Sequence, residues 1–394
     1  MTPGQTAGTL LALNYGSASL KAACYVLPAN AVEHPAARQT ARVSVDTQHD
    51  ASASADEKAV ALLSEVIKRL PDECGPPELV AHRIVHGGDR CRPMALTQER
   101  MVELEALSTL APLHQPQGLA LVRAAGLRWP DARQIGVFDT SWHQTMPEKH
   151  RLLPIPHSLY QAGVKRYGFH GLAFQSAMRQ LGRIAPELSK QRIVLAHLGG
   201  GSSLCAVLDG RSVNTTMGMT PLGGIPMASR CGSLDPGVLL HLQRDRGMSL
   251  DDIERLLWRE SGLRGVSGES GDMRTLLASN SEGARRAIDV YVSGVVQGVA
   301  AMAASIGGID ALIFSGGIGT HAAGVRARVA AELGWMGIDI DPGLNASAAM
   351  GVASSAALAK TFVLPVDEEE EMVDAIVMLE THDFQQSAGM AQGD

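Results

Sequence analysis

"LLALNYGSASLKA" (residues 10–22) and "VLAHLGGGSSLCA" (residues 194–206) share one pattern: an apolar run, a Gly/Ser turn and a second apolar run. Each segment therefore predicts a β-hairpin. The two segments carry the same residue at six of thirteen positions, and their offset of 184 residues is nearly half of the 394-residue chain. This weak repeat predicts a duplicated fold with one hairpin in each half.

The turn of the first hairpin gathers polar side chains, namely Asn14, Ser17, Ser19 and Lys21. Two such turns facing each other would offer backbone N–H groups and hydroxyls to one phosphate chain from both sides. Ordinary hairpin turns with solvated serines are the alternative interpretation of the same composition.

Strand-like and helix-like patterns alternate along the rest of the chain, which is typical of an α/β protein. The chain exceeds the usual size of a single core, so we expect two domains. The polar stretch at residues 29–58 predicts a surface loop in its later part, and the tail "QQSAGMAQGD" (385–394) predicts a frayed end. Two strands, "ELVAHRIVH" (78–86) and "RQIGVFD" (133–139), and two helices, "EKAVALLSEVIKRL" (57–70) and "QGLALVRAAGLRWP" (117–130), are predicted in the first half.

Composition limits the classes of function. The net charge of −7 gives no general attraction to nucleic acid or to an anionic membrane surface. Five cysteines without a CxxC pair argue against a zinc site and a disulfide framework, and we expect a reduced, cytoplasmic protein without a secretory signal. The uncharged run at residues 291–309 predicts a buried helix and not a membrane span, because Ala, Gly and Val supply its apolarity.

Two glycine patterns that are typical of nucleotide-binding loops were compared with the sequence. A Walker loop is excluded because the chain has no Gly-Lys dipeptide. A G-x-G-x-x-A pattern at Gly317, Gly319 and Ala322 follows the predicted strand "DALIFS" (310–315), with Asp339 and Asp341 about twenty residues further on. This pattern fits a dinucleotide loop, and the same turn could equally hold an adenine nucleotide.

Ten segments in order resemble the motifs of the acetate kinase family from about residue 10 to about residue 375. They are "LNYGSASLK", "HRIVHGG", "APLHQP", "VFDTSWHQTMP", "YGFHG", "AHLGGGSSLCAV", "TTMGMTPLGGIPMASRCGSLDP", "VSGESGDMRTL", "FSGGIGTHAAGVRARVAAELGWMGI" and "LPVDEEEEMV". The family belongs to the sugar kinase, Hsp70 and actin superfamily. Under this resemblance the G-x-G-x-x-A pattern belongs to an ATP loop.

The resemblance implies an α/β fold of two actin-like (ribonuclease H-like) domains with a duplicated core and an interdomain active-site cleft. The N-terminal domain is expected at residues 1–142 and 370–394, since the C-terminal helix returns to it. The C-terminal domain, at residues 143–369, is expected to bind the nucleotide and to form a homodimer. Closure of the cleft would exclude water and limit wasteful hydrolysis of ATP.

The family transfers a phosphoryl group between ATP and a short-chain carboxylate, with Mg²⁺, giving an acyl phosphate and ADP. Because two anions must meet, charge cancellation and alignment are the main tasks. Arg83 and Arg230 match the two active-site arginines, whose planar guanidinium groups suit carboxylate or phosphoryl oxygens. Asp139 matches the catalytic aspartate. His170 matches the histidine that hydrogen-bonds the transferred phosphoryl group.

The resemblance carries over further residues by group. Substrate binding is expected at Arg83 and at a small apolar pocket that receives the acetate methyl, formed by Val85, Leu113, Phe169 and Pro221. Mg²⁺, or Mn²⁺ in its place, is expected at Asn14 and Glu368. Glu368 is chosen from the glutamates 368–371 by its distance from Pro365. ATP or ADP is expected at Asn14, Ser17, Ser19, Lys21, His197, Gly199, Gly200, Gly201, Asp272, Arg274, Gly317, Ile318 and Gly319. His114 matches a further active-site histidine, whereas His82 and His86 are interpreted as structural.

Three departures from the family pattern affect the expected nucleotide contacts. Gly200 replaces an Asn, Thr320-His321 replaces Glu-Asn, and Gly223 replaces a Glu. We therefore keep alternatives open: an acid other than acetate, such as propionate; a donor other than ATP, such as pyrophosphate; or a nucleotide-binding regulator without turnover. A small apolar pocket discriminates one methylene by only about 1–3 kcal/mol.

Overall fold

The computed structural model describes residues 8–16, 19–27, 37–47, 53–347 and 349–390, with side chains up to residue 379. Its internal contacts divide the chain into two units. Unit 1 comprises Met1–Ser141 and Asp367–Asp394, and unit 2 comprises Trp142–Val366. Both units contain helices and a mixed sheet, so the predicted α/β class is confirmed.

The described strands and α-helices are numbered in chain order. The strands are β1 Thr9–Tyr15, β2 Ser19–Val26, β3 Arg38–Asp46, β4 Leu79–Ile84, β5 Met94–Ala95, β6 Arg133–Phe138, β7 Ile193–Leu198, β8 Ser202–Leu208, β9 Arg211–Thr215, β10 Ala311–Ser315 and β11 Lys360–Val363. The helices are α1 Ala55–Arg69, α2 Gln98–Glu105, α3 Gln115–Arg128, α4 Glu148–Arg151, α5 His157–Gln161, α6 Gly171–Ile184, α7 Pro236–Arg244, α8 Leu250–Arg259, α9 Gly262–Ser267, α10 Met273–Ala278, α11 Glu282–Ser305, α12 Gly316–His321, α13 Ala323–Glu332, α14 Pro342–Ala346 and α15 Glu368–Met390.

The sheet of unit 1 has the order β3-β2-β1-β4-β6-β5. β1, β2 and β3 form an antiparallel meander, and β4 and β6 continue the sheet parallel to β1. The carboxyl ends of β1, β4 and β6 therefore lie at one edge of the sheet, where open α/β sheets place their ligands.

The sheet of unit 2 has the order β9-β8-β7-β10-β11 when read from its meander. β7 to β9 form an antiparallel meander, and β10 and β11 continue it parallel to β7. This order repeats β3-β2-β1-β4-β6 of unit 1, so the duplicated core and both hairpins predicted from the sequence are confirmed.

Local sequence explains the first helix of unit 1. The Ser54 hydroxyl accepts from the backbone N–H of Glu57, and the Glu57 carboxylate accepts from the backbone N–H of Ser54, which is a capping box. One face of α1 buries Ala59, Leu63 and Val66 in the unit 1 core. The helix covers the predicted stretch 57–70 except for its last residue, and it begins two residues earlier, at Ala55.

Two local predictions need correction. The polar stretch 29–58 is not all loop. β3 occupies Arg38–Asp46, where alternation of exposed and partly buried residues suits an edge strand that pairs with β2, and α1 begins at Ala55. The tail predicted to fray is helical through Met390 as the end of α15, and residues 391–394 lie outside the description.

Helix α11 is long and apolar enough to cross a membrane by length and composition. It packs instead in the core of unit 2, where Val292, Val295 and Val299 are fully buried. The predicted buried helix is confirmed.

Candidate active site

Arg83 is the centre of a polar network at the sheet edge of unit 1. Its Nη2 donates to Asp139 Oδ2 at 2.7 Å, and its Nε donates to Asp139 Oδ1 at 3.1 Å. Its Nη1 donates to Asn14 Oδ1 at 3.0 Å and to Glu368 Oε2 at 3.1 Å. Four elements deliver these groups, since Asn14 lies near the end of β1, Arg83 in β4, Asp139 directly after β6 and Glu368 at the start of α15.

The neighbouring carboxylates keep the Arg83 guanidinium charged. Burial disfavours the Arg83 cation, but the carboxylates of Asp139 and Glu368 outweigh burial and raise the Arg83 pKa above its usual value. Only 10% of the Arg83 side chain and 1% of the Asp139 side chain is exposed. A guanidinium held by fixed carboxylates stays charged and keeps one orientation.

Two glutamates of the acidic run contact the same amide. Asn14 Nδ2 donates to Glu368 Oε2 at 2.7 Å and to Glu369 Oε1 at 2.5 Å. Glu369 is almost fully buried, and burial together with the Glu368 charge raises its pKa. Arg42 Nη2 lies 3.5 Å from Glu369 on the other side. Glu369 and Glu371 are buried and Glu368 and Glu370 are partly buried, so this acidic helix start packs against the protein and does not project into solvent.

The oxygens of Asn14 and Glu368, chosen from the sequence for Mg²⁺, belong to this network. Carboxylate and amide oxygens are hard donors of the kind that Mg²⁺ prefers. Among the residues described, no group of three or more His, Cys, Asp or Glu side chains could hold a metal ion. Two oxygens of this kind suit an ion that takes one or two protein ligands and completes its coordination with water and substrate phosphate.

The first hairpin turn is described in part. Ser17 lies outside the described residues, so its predicted role stays a prediction. Gly16 N donates to Ser19 O at 2.9 Å, which closes the turn. Lys21 pairs with Asn14 in the β1–β2 register and is exposed.

Other predicted residues of unit 1 take separate positions. Val85 is buried directly after β4, and Leu113 and His114 are partly buried before α3. His82 and His86 are both buried. His82 Nε2 hydrogen-bonds Gln134 Oε1 at 2.7 Å, and His86 Nδ1 accepts from Gly88 N at 3.1 Å. These last contacts support the structural interpretation of both residues.

Two glycine turns lie side by side in unit 2. Gly199, Gly200 and Gly201 connect β7 to β8, and Gly316 to Gly319 follow β10, which is the parallel neighbour of β7. A Cβ on Gly199 would lie 3.8 Å from Gly317 N. Gly316 has φ +75°, and a Cβ there would lie 2.5 Å from Leu198 O, so this position requires glycine. Ile318 belongs to the same turn and is partly buried.

His170 and Arg230 approach the first of these turns. A Cβ on Gly201 would lie 3.2 Å from both His170 Nε2 and Arg230 Nη2. His170 Nδ1 hydrogen-bonds Ser203 Oγ at 2.8 Å, and the His170 and His197 ring centroids are 4.8 Å apart. The structure thus brings together a guanidinium, an imidazole and a glycine turn predicted separately from the sequence.

His170 has a left-handed backbone with φ 60°, which is uncommon for a residue other than glycine. It precedes α6, and the ring of His143 lies behind the same segment, because a Cβ on Gly168 would meet that ring at 2.5 Å. Backbone strain of this kind often accompanies functional sites. The strain sets the direction in which the His170 imidazole leaves the backbone.

Arg230 is buried without a carboxylate among its hydrogen-bond acceptors in the described residues. Its Nη1 donates to Pro221 O at 2.8 Å, and its guanidinium carbon lies 5.9 Å from the Trp258 ring centroid. Burial lowers the Arg230 pKa to about 10, so the side chain is charged at neutral pH. A buried cation of this kind attracts an anion strongly.

The remaining predicted residues of unit 2 divide into two groups. Phe169 and Pro221 are both buried. Phe169 directly precedes His170 in the chain, and the Pro221 carbonyl accepts the hydrogen bond from Arg230. Asp272 and Arg274 pair with each other at 2.6 Å, and the Arg274 side chain is 89% exposed. The structure therefore shows an ion pair at this position and no contact that assigns it to a nucleotide.

Sequence reasoning missed His143. It is fully buried, its Nδ1 hydrogen-bonds Ser212 Oγ at 2.8 Å, and its Nε2 hydrogen-bonds Phe169 O at 2.9 Å. Burial lowers the His143 pKa to about 4, so the ring is neutral and donates one hydrogen bond while it accepts the other. Its place in "VFDTSWHQTMP" was the available signal.

The comparisons with known proteins agree with this geometry. The model of the Acetokinase family matches residues 9–375. An acetate kinase of Methylocella silvestris is 43% identical over 295 residues, covering 74% of this chain and 73% of the relative. An acetate kinase of Gloeobacter violaceus is 35% identical over 390 residues, covering 92% and 96%.

Two solved structures are similar over nearly the whole chain. A crystal structure of Porphyromonas gingivalis acetate kinase has a TM-score of 0.77 and 30% identity, covering 95% of this chain and 99% of the other. A crystal structure of a propionate kinase from Francisella tularensis has a TM-score of 0.78 and 28% identity, covering 93% and 98%.

Proposed function

Because this chain belongs to the acetokinase family, we propose that it transfers the γ-phosphoryl group of ATP to acetate and forms acetyl phosphate and ADP. The observation that carries the proposal is the approach of the Arg230 guanidinium and the His170 imidazole to the Gly201 turn. A guanidinium and an imidazole beside one small polar turn suit the equatorial oxygens of a phosphoryl group, because both can donate hydrogen bonds to them.

The reaction needs no general base at the acceptor, because acetate is an anion without a proton to lose. An acetate oxygen forms a bond to the γ-phosphorus as the bond to the β–γ bridging oxygen breaks, and ADP leaves with that electron pair. The reaction is reversible. The enzyme must therefore overcome repulsion between two anions and align them.

Arg83 and Arg230 are proposed to supply the positive charge. Asp139 acts through Arg83, since its two oxygens fix the guanidinium by three hydrogen bonds and leave its charge in place. Val85, Leu113, Phe169 and Pro221 are proposed to receive the acetate methyl. In this scheme Asp139 is a positioning residue.

His170 is proposed to donate to the transferred phosphoryl group. If Ser203 donates to His170 Nδ1, the neutral ring carries its proton on Nε2, which is the atom beside Gly201. In this arrangement the hydrogen bond between Ser203 and His170 Nδ1 leaves Nε2 as the ring atom that donates to the phosphoryl group. His197 and the Gly199 to Gly201 and Gly317 to Gly319 turns are proposed to bind the phosphate chain.

Mg²⁺, or Mn²⁺ in its place, is proposed to bind at Asn14 and Glu368. When bound, such an ion supplies charge neutralisation to the phosphate oxygens. Arg83 and Asn14 hold the Glu368 carboxylate in one orientation through its Oε2 atom.

We also propose a homodimer of unit 2 and a cytoplasmic location. Every residue of α7 is exposed or partly buried, including Val238, Leu239 and Leu240, and Leu234 just before the helix is exposed as well. Apolar surface of this extent supports association between copies. All five cysteines are free, which supports a reducing compartment.

Pyrophosphate is the second candidate donor. The loop at Thr320-His321 lacks the amide and carboxylate side chains that the resemblance predicts there. A donor without an adenosine would depend less on that loop. This substitution is the reason to compare ATP with pyrophosphate as donor. The residues around Arg230 could bind the phosphoryl group of either donor.

The test is a matrix of two donors, ATP and pyrophosphate, against acetate, propionate and butyrate, with the release of ADP or phosphate as the readout. We expect the highest kcat/KM for ATP with acetate. The Arg230→Gln variant should lose activity for every pair. Release that is independent of any acid, and equal in this variant, would contradict the proposal.

A further inference from the structure

Helix α12 spans six residues, and something outside it must satisfy its last carbonyl groups. Arg326, in α13, provides these hydrogen bonds. Its Nη1 donates to Gly319 O at 2.9 Å and to Thr320 O at 2.8 Å. Helix α12 is the segment that contains the second glycine turn, Gly316 to Gly319. The Arg326 side chain therefore binds carbonyl groups that a longer helix would bind through its own backbone N–H groups.

The same guanidinium is anchored on its other side. Arg326 Nε donates to Asn345 Oδ1 at 2.8 Å, and Nη2 donates to Asn345 O at 2.7 Å. Asn345 Nδ2 in turn donates to Ala323 O at 2.9 Å. These bonds connect α12, the start of α13 and α14 through one planar group.

Burial makes this arrangement costly unless it is rigid. Arg326 is 1% exposed and is among the largest fully buried side chains of the described residues. Its guanidinium donates four hydrogen bonds, and all four acceptors are uncharged oxygens of Asn345, Gly319 and Thr320. Burying a charge costs roughly several kcal/mol of hydration free energy. Only well-formed hydrogen bonds can offset this cost. Movement of the turn would break two of these bonds.

We propose that Arg326 is a positioning residue that fixes the Gly316–His321 turn in the conformation that binds the nucleotide. This inference rests on the proposed function, because that function makes the turn a nucleotide site. The turn carries Thr320 and His321 in place of a carboxylate and an amide. The conformation of the Gly316–His321 turn therefore depends on its hydrogen bonds to Arg326. Arg326 acts through this turn and needs no contact with the nucleotide.

The test compares Arg326→Lys and Arg326→Met with the wild-type chain. Lysine retains the charge but lacks the planar fork, so it cannot bind both carbonyl oxygens and Asn345 together. We expect each variant to raise the KM and the Kd for ATP about tenfold, since roughly 1.4 kcal/mol of binding is lost. The KM for acetate should stay within about twofold, which a general loss of structure would not achieve.

Arg328→Gln is the matched control, because Arg328 lies in the same helix and forms an exposed ion pair with Asp289 at 2.6 Å. It should leave the KM for ATP unchanged. Thermal unfolding identifies folded variants. If both Arg326 variants fail to fold, Asn345→Ala decides, since it removes one bond from Arg326 and leaves the contacts to Gly319 and Thr320.

We expect Asn345→Ala to raise the Kd for ATP about threefold. An unchanged Kd in a folded Arg326→Met or Asn345→Ala variant, or equal changes for ATP and acetate, would overturn the inference. Calorimetric binding of ATP does not require turnover. A wild-type chain that binds ATP without phosphoryl transfer would contradict the proposed function and leave this inference to be decided by Kd alone.

Discussion

At the scale of single residues, the account depends on charges held where water cannot screen them. Arg83 illustrates this, because one side chain binds two carboxylates and an amide at the ends of three parallel strands and a helix. The sequence could nominate Arg83 through its motif. It could not show that Asp139 binds Arg83 with both oxygens, because that contact joins residues 56 positions apart.

Arg83→Gln should lower kcat/KM by about 10³-fold, since a positioned arginine in phosphoryl transfer contributes about that much or more. Steady-state assays with acetate and ATP measure the loss. Arg123→Gln is the control, because Arg123 also binds two carboxylates, Asp56 and Glu105, but on the exposed surface. Equal effects of the two substitutions would refute the catalytic role of Arg83.

Two buried histidines predict how stability depends on pH. Burial lowers the pKa of His82 and of His143 to about 4, compared with 6.5 in the unfolded chain. Between these pH values the unfolded chain binds more protons than the native one, so the stability is present above pH 6.5 and is lost as the pH falls towards 4. Each imidazole contributes up to about 3 kcal/mol to this loss.

Urea unfolding at several values between pH 7 and pH 4 measures this dependence. His82→Gln, which can retain the hydrogen bond to Gln134, should reduce the slope of the unfolding free energy in this range. His157→Gln on the surface is the comparison. A slope unchanged by the His82 substitution would show that this imidazole is not the source.

At the scale of elements, the turns after strands position the chemistry. Alternation and glycine turns were sufficient to predict β1, β2, β7 and β8. They did not predict β3, because a polar edge strand resembles a loop in composition. They also could not show that Glu369 is buried against Asn14, because the acidic helix start meets β1 only in the folded chain.

Gly316→Ala should destabilise the protein by about 1–3 kcal/mol or more, because its left-handed backbone is unfavourable for alanine and its Cβ would overlap Leu198 O. Gly317→Ala is the matched control for stability, since no atom lies within 4 Å of the Cβ it would add. Chemical denaturation compares the two variants. Equal losses would contradict the strain assigned to Gly316.

At the scale of the whole molecule, two units repeat one strand order, and each unit has its own buried hydrophobic clusters. The weak identity of the two hairpins was enough to predict this duplication, since small residues were kept where the turns are tight. The motif around His143 could nominate this residue, but the sequence could not show that its ring lies behind the His170 segment, because the two segments meet only in the folded chain.

The proposed homodimer predicts that a charged side chain introduced on the apolar surface of α7 disrupts the dimer. Leu240→Glu should convert a dimer to a monomer, since burying a charge against apolar surface is unfavourable. Leu127→Glu, in unit 1, is the control, because Leu127 is 84% exposed and away from α7 in the chain. Light scattering after size exclusion measures the mass. A wild-type monomer, or an unchanged dimer in Leu240→Glu, would contradict the proposed interface.

The proposed reaction joins the γ-phosphoryl group of ATP to a carboxylate. Phosphorus NMR of the purified protein with ATP, Mg²⁺ and acetate tests it directly. The account predicts that the γ-phosphate signal is replaced by equal signals of acetyl phosphate and the new β-phosphate of ADP, and that Arg230→Gln abolishes this change. Inorganic phosphate appearing at a rate independent of acetate, or ATP that stays unchanged, would contradict it.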